Sequence, residues 1–525
     1  MNLTLTGPDW AVFAIYGLIL GATAYYFSLR NSQNSRDFFL AGNAMPVWMV
    51  AISTLATTQS AATFLGGPDL GYRSDFSYIF TNLGAVIAAL IVARFLIPLF
   101  YQQRVTTVYE LLQNRFGANA KRKAGGVYLL GRIFASGARL YMAAIAVSML
   151  LFGDIQADHV VLAVVMLAIV SLGQTVFGGV SSVIQSDVIQ CFVYVGAAIA
   201  VFCVLMWYIP VSSGEILTAL ANPTDGSGSK LELIDWRFDL TDPFTLWATF
   251  TGFVLLNVAA FGLDQDVTQR VLTCRSSLEG ARAMLWSVLM VIPVMALFMG
   301  IGMLLYVYYQ RPDLMGASQG VLQNSADVTV FMQFVLNELP GGVRGLVVIG
   351  VIAAALSTLT SGLNSMASVI TEDFYRPWAA KRKQQPSDAQ MVRVGRLAMI
   401  AVAAALSGMA ILCFYWQQVS QLPLLPFALS VMVFAYSGLL GVFFTALFTG
   451  RGNGMSVTAA LIGGFCTPLV MQPWLIEAFA LQDYIAPMAF PWQLCIGTLI
   501  AFGLCCLGKP AQTQAHNSNT QEALA

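Results

Sequence analysis

Apolar stretches recur along the chain with short polar gaps between them. Those long enough to cross a bilayer as helices are 9–28, 45–67, 77–101, 125–152, 158–178, 184–209, 244–265, 283–308, 345–368, 391–415, 424–449, 455–471 and 489–507, which predicts about thirteen transmembrane helices. Two of these spans turn polar within their length. The stretch from Pro46 to Gly67 reads Ser53-Thr54-Leu55-Ala56-Thr57-Thr58-Gln59-Ser60-Ala61-Ala62-Thr63 in its middle. The span 244–265 runs into Leu256-Asn257-Val258-Ala259-Ala260-Phe261-Gly262-Leu263-Asp264-Gln265-Asp266. Hydrocarbon satisfies neither hydroxyls nor freed backbone groups, so such runs face protein or a polar cavity. One reading is a helix broken at the midplane, whose unwound carbonyls and hydroxyls hold an ion or a solute. The other is Ser and Thr bonding back to the carbonyls of their own helix.

Once the first helix is set aside, each polar-broken span opens a block of five spans, 45–209 and 244–449. An odd number of spans per block forces the two blocks to opposite topology, the arithmetic of an inverted repeat. The expected organisation is an extra N-terminal helix and inner loop (1–44), a first repeat (45–209), an external loop (210–243), a second repeat (244–449), two C-terminal helices (450–508) and a disordered tail (509–525). Residues 327–335 in a second outside loop, 309–343, are amphipathic and predict a short helix over the external mouth. Inside, 108–116 predicts a surface helix followed by a basic cluster.

Composition adds the class. The chain is 58% hydrophobic and 10% charged, against roughly 25% charged in a soluble domain, so a polytopic protein of the cell inner (plasma) membrane is expected. Met1 to Trp10 carries no basic n-region and no small-residue cleavage site, which predicts a retained first helix. Placing the N-terminus outside and the C-terminus inside puts the cations of 30–36, 104–123, 270–282, 376–396, Arg451 and Lys509 on the cytoplasmic side. Only Arg73, Lys230, Arg237, Arg311 and Arg344 then fall outside, while Arg94, Arg132 and Arg139 lie within spans. The net charge of zero gives no reason to expect a nucleic-acid partner, and no obligate protein partner is visible. The eight cysteines form no CxxC pair or metal spacing and read as packing residues. With only His159 and His516, no metal site or Ser-His relay is expected, and no catalytic residues. Nothing resembles a selectivity filter or a ring of charges.

Chemistry is left to a few polar positions inside spans. Residues 354, 357, 358, 361 and 365 share one helix face of small and hydroxyl side chains. That face is either a packing seam between helices or a set of neutral oxygens that binds sodium weakly enough to release it. Asp187, followed by an apolar run, needs a cation partner: sodium, a proton or a buried arginine. Asp264 and Asp266 lie nearer the cytoplasmic end, where water or Arg270 would meet them. Arg132 and Arg139 are seven apart on one face; snorkelling would serve Arg132. The deeper Arg139 suits a carboxylate, of the solute or of a neighbouring helix.

Four motifs in order resemble the sodium/solute symporter family: Asp37-Phe38-Phe39-Leu40-Ala41-Gly42, Gly178-Gly179 with Ser186-Asp187-Val188-Ile189-Gln190, Gly262-Leu263-Asp264-Gln265 with Gln269-Arg270, and Asn364-Ser365 with Asp373-Phe374-Tyr375. The resemblance runs from about residue 9 to 507. It implies an all-α, LeuT-type fold of five-plus-five inverted repeats, preceded by one helix and followed by two. It further implies a sodium site on the Ala56, Gln59 and Ala354 carbonyls and the Ser357 and Thr358 hydroxyls. As in some members of the sialic acid type, a second site falls on Asp187, Ser357, Thr360 and Ser361. Both sets carry oxygen, which favours two sodium ions over one. For the solute, Thr58, Ser60 and Thr63 resemble the hydroxyl set of the sialic acid type, with Asn82 in place of a Gln, and Asp264 joins them as a candidate. The arginine that clamps the carboxylate in that type aligns with Ala135, one turn before Arg139. Ala62 replaces the Trp of the proline type, and Thr63 the Gln of the galactose type. A sodium-coupled symporter of a small polar solute is expected. An acidic sugar or monocarboxylate stands ahead of a neutral sugar or polyol, and ahead of a sensor that does not transport.

Overall fold

The computed structural model describes residues 6–509 apart from 30–33, 177, 225, 227, 317–319, 321–328, 421–423, 481, 484 and 485. Helices fill the apolar stretches, and the described residues hold no strand beyond an isolated bridge between Asp235 and Thr245. Helix α1 (Gly7–Leu29) comes first, and the segment Ser35–Asn43 then meets α2 (Val47–Thr58) at 112°. Helix α3 (Ala61–Arg73) follows after two extended residues. Next come α4 (Ser77–Gln103), α5 (Ala118–Phe152), α6 (Ala157–Thr175) and α7 (Gly179–Tyr208). The second half begins with α8 (Leu246–Gly262) and α9 (Gln265–Val271), bent by 57° at their junction, and continues with α10 (Ser277–Gln310). Helices α11 (Val343–Lys381), α12 (Asp388–Ser420), α13 (Leu424–Phe448), α14 (Gly454–Val470) and α15 (Phe490–Cys506) complete it.

Among the described residues eight helices are long and apolar enough to cross a membrane, and the bent pairs, each taken as one span, bring the total to ten, with α14 and α15 as shorter apolar helices. The surface pattern matches a bilayer as solvent. Large apolar side chains such as Trp207, Phe192 and Leu499 face outward, while Asp187, Asp266 and Arg270 are buried. The structure describes a multi-pass membrane protein.

Some expected boundaries move. The first polar-broken span extends to Arg73, with Pro68 inside α3. Helix α5 begins at Ala118, so Lys121, Arg122 and Lys123 are helical rather than a loop cluster after 108–116. Lys121 is buried and pairs with Asp373 at 3.0 Å and Glu110 at 3.4 Å. The helix expected near 327–335 is Val330–Asn337; residues 327 and 328, like 510–525 of the tail, lie outside the described residues.

Packing holds the broken spans at the centre. Gly71 of α3 and Gly302 of α10 let the two backbones touch, because a Cβ at either would overlap the other helix's main chain. Helix α7 packs along α11, carrying Asp187 to the hydroxyl face of that helix. Helix α1 packs on α11, α7 and α6. Its Asp9 carboxylate accepts the Gly342 and Gly345 N–H groups at 2.8 Å each and Arg344 at 3.1 Å.

Candidate functional site: an ion-paired core between two broken helices

The first break is a gap in the backbone ladder. Gln59 donates its N–H to Leu55 O, and the next carbonyl to accept is Ser60, from Thr63 and Phe64. Gln59 and Ser60 are extended, which takes the carbonyls from Ala56 onward off the helical ladder. Hydroxyl back-bonding also occurs here: Thr57 donates to Ser53 O and Thr58 to Leu55 O. The run thus holds both a backbone break and hydroxyls bonded back to their own helix.

The second break is capped. Asp264, extended at the N-cap of α9, accepts the Asp266 N–H at 2.9 Å. Its other oxygen accepts Arg132 Nη1 at 3.0 Å and the Tyr436 hydroxyl at 2.6 Å. Asp264 therefore pairs with Arg132 rather than Arg270, and Arg132 does not snorkel: it is 5% exposed and pairs with both Asp264 and Asp266. Four residues on, Arg270 is buried at 1% exposure and bridges Asp266 Oδ1 and Asp187 Oδ2, each at 2.9 Å. Charge counting placed Arg270 in the cytosol; the fold places it in the core.

Asp187 thus pairs with Arg270, not with Arg132 or Arg139. It also accepts the Ser53 hydroxyl at 2.5 Å and the Ser357 hydroxyl at 2.7 Å, while Arg270 Nε donates to Ser53 Oγ at 2.8 Å. Three carboxylates (Asp187, Asp264, Asp266) face two guanidinium groups (Arg132, Arg270) in this buried network. With all five ionised this network carries one negative charge, and the Arg139 guanidinium, unpaired among the described residues, shares a cavity wall with its Asp264.

The residues expected at the sodium sites are all buried. Thr358 Oγ1 lies 3.2 Å from Ala354 O, so two of the oxygens implied for the first site are adjacent; Ala56 and Gln59 border the backbone break. At the second, Ser357 touches Asp187 directly. Thr360 bonds back to Leu356 O at 2.9 Å, and Ser361 donates to Asp266 instead.

A cavity of about 130 Å³ opens beside these groups, where one water needs roughly 10–15 Å³ on the same measure. Of the residues expected to meet the solute, Thr58, Asn82, Arg139 and Asp264 lie on its wall, while Ser60 and Thr63 are buried and outside its lining. Tyr78, Asn257, Ser287 and Tyr436 line it without having been foreseen. Tyr78, Ser287 and Tyr436 are polar side chains in apolar spans with no periodicity to single them out, whereas Asn257 belongs to the second polar interruption. Arg139 differs from the other two core guanidiniums. Among the described residues it makes no ion pair, and its one hydrogen-bond acceptor is the Met432 thioether at 3.5 Å. The Gln59 and Ser287 side chains also leave buried oxygens without a partner.

The sodium:solute symporter family matches residues 38–464. The sodium/sialic acid symporter SiaT of Proteus mirabilis is 29% identical over 456 residues, 86% of this chain and 87% of its own length. The sodium/sialic acid symporter NanT of Aliivibrio fischeri is 28% identical over 460 residues, 87% of this chain and 86% of its own. Among solved structures, a Na+-coupled sialic acid symporter in a substrate-bound outward-open state aligns with a TM-score of 0.79 at 26% identity, covering 97% of this chain and all of that one. Mhp1, a nucleobase-cation symporter, shares the fold at a TM-score of 0.54 and 14% identity. A match over most of the chain, two broken helices and a buried polar core between them lead to one assignment: the chain belongs to the sodium:solute symporter family.

Proposed function

We propose that this sodium-coupled symporter imports a small solute bearing a carboxylate, an acidic sugar such as sialic acid or a monocarboxylate, together with two sodium ions. The observation that carries the reading is Arg139, a guanidinium on the cavity wall with a thioether as its sole acceptor among the described residues. A desolvated guanidinium without an anion is costly, and a planar carboxylate is the partner its fork fits. The two sialic acid symporters and the human sodium-coupled monocarboxylate transporter 1, 26% identical to this chain, are all named for acids.

Two sodium ions are supported by the oxygens gathered around Asp187, from Ser53 and Ser357, and by the freed carbonyls at the first break. Alternating access through a LeuT-type five-plus-five arrangement, with thirteen spans, the N-terminus outside and the C-terminus inside the plasma membrane, would use the sodium gradient and potential. The potential supplies about 2.3 kcal/mol per charge per 100 mV.

The test is binding to purified protein of matched acid and neutral solutes, N-acetylneuraminate and pyruvate against a hexose and a polyol, with and without sodium. Sodium-dependent binding confined to the acids is expected. Sodium-dependent binding of a neutral sugar alone would overturn the reading.

The sodium sites divide by a pair of substitutions. Thr358→Ala removes an oxygen from the first site alone, whereas Ser357→Ala removes one from both and also a hydrogen bond to Asp187. A net loss of about 0.5–1.5 kcal/mol per oxygen contact raises the sodium concentration needed for half-maximal uptake several-fold in Thr358→Ala and further in Ser357→Ala. Normal membrane insertion is expected in both. Unchanged sodium dependence in either variant refutes its assignment.

A further inference from the structure

A second, larger cavity of about 470 Å³ shares no lining residue with the solute cavity. Its walls come from the segment before α2, the last turn of α4, the link between α9 and α10, the end of α11 and the start of α12. Four guanidinium groups converge there, Arg36, Arg104, Arg275 and Arg376, against the carboxylates of Glu372 and Asp388.

The partners of these groups leave the pocket cationic. Arg376 is neutralised locally, with Nε 2.8 Å and Nη2 3.1 Å from the Glu372 carboxylate. Arg36 Nε donates to Asn43 Oδ1 at 3.2 Å, and Asp388 accepts the Ser35 hydroxyl at 3.3 Å. The Arg104 and Arg275 guanidiniums have no partner among the described residues, while the Arg275 main-chain N–H donates to the Glu279 carboxylate at 3.2 Å. The frame that carries these two is fixed. Tyr101, one turn before Arg104, donates its hydroxyl to Val271 O at 2.9 Å and Cys274 O at 3.0 Å, the residue before Arg275. Met45 N–H bonds to Thr273 O at 3.0 Å, tying the entry of α2 to the same link.

Two guanidiniums from separate segments, held by one hydrogen-bonded frame at the mouth of a polar cavity, present donors to a tetrahedral oxyanion. On the orientation proposed above this face is cytoplasmic, where anionic lipid headgroups attract basic pockets at helix ends. We infer that this pocket is a phosphate-type anion site, filled by the headgroup of an anionic lipid or by free phosphate. The inference rests on the proposed orientation for which leaflet supplies the lipid, and not on the identity of the transported solute.

The experiment is thermal unfolding of the full-length protein. One arm adds inorganic phosphate in detergent, with chloride at equal ionic strength as control. The other compares phosphatidylcholine nanodiscs with discs containing phosphatidylglycerol or cardiolipin. A rise of several degrees is expected in at least one arm for the parent protein, and no rise in R104Q/R275Q. R104K/R275K, which keeps the charge and loses the forks, retains part of it, with apparent affinity about tenfold weaker. A rise with phosphate identifies the free anion as an occupant; a rise confined to anionic discs identifies the headgroup. Sodium-dependent solute binding, which uses none of these arginines, reports that each variant is folded. No rise in either arm, or an equal rise in folded R104Q/R275Q, overturns the inference. Failure of the acidic-solute reading leaves both arms interpretable.

Discussion

Replacing Arg139 with Lys lowers affinity for an acidic solute by about tenfold or more while leaving any neutral solute unaffected. Lys keeps the charge but loses the planar fork, and hydrogen bonds to a charged group contribute about 1.5–3 kcal/mol, with 1.4 kcal/mol per tenfold. No other core guanidinium can take over, because Arg132 is committed to Asp264 and Asp266, and Arg270 to Asp187 and Asp266. Isothermal titration of Arg139→Lys and Arg139→Gln with the acid found in the solute panel measures the effect. Equal affinity in parent and Lys variant would show that the solute carboxylate docks elsewhere.

Asp187→Asn should remove one sodium from the transport cycle. The substitution leaves two carboxylates against two guanidiniums, so the network is balanced without an added cation, and Arg270 keeps Asp266. Sodium flux per solute in proteoliposomes should fall from two to one, or uptake should cease, with sodium-dependent solute binding retained. The reciprocal change is expected to be harsher. Arg270→Gln strands Asp187 and takes one of two cations from Asp266, and breaking a buried pair in this way costs about 3–5 kcal/mol. A stable Asp187→Asn protein with unaltered ion-to-solute ratio would end the case for a second ion at this carboxylate.

Much of this site could be read before any coordinates. Each apolar stretch of the sequence holds a helix, and the two polar interruptions fall at real breaks because only backbone off the helical ladder leaves such groups in need of partners. Pairing was read only in part: Arg270 was open as a partner of Asp266 and a buried arginine as one of Asp187, but not that a single arginine serves both. Arg270 stands in a run of cations, and counting charges sends the whole run to the cytosol. Its burial follows from α9 starting at the second break, inside the protein. The spacing of Asp266 and Arg270, four apart on a helix, was a visible hint of that pair. Tyr436 gave none. Ser60 and Thr63, named through the resemblance, stand outside the cavity lining in this structure: α3 restarts after two extended residues, which turns its first residues away from the face that carries Thr57 and Thr58.

The anchoring of α1 by Asp9 has a consequence for following the transport cycle. That carboxylate holds the two backbone N–H groups and the arginine at the start of α11, and the rest of α1 lies on α11, α7 and α6. None of α1 lines the solute cavity, whose wall includes residues of α2, α4, α5, α8 and α13. Helix α1 is therefore expected to serve as a fiducial: a spectroscopic label on its outward face should keep its distance to α11 as the cavity opens and closes, a constancy that double electron–electron resonance between the two helices checks. Against that fixed mark, the travel of the broken helices can be measured without placing a probe in either of them.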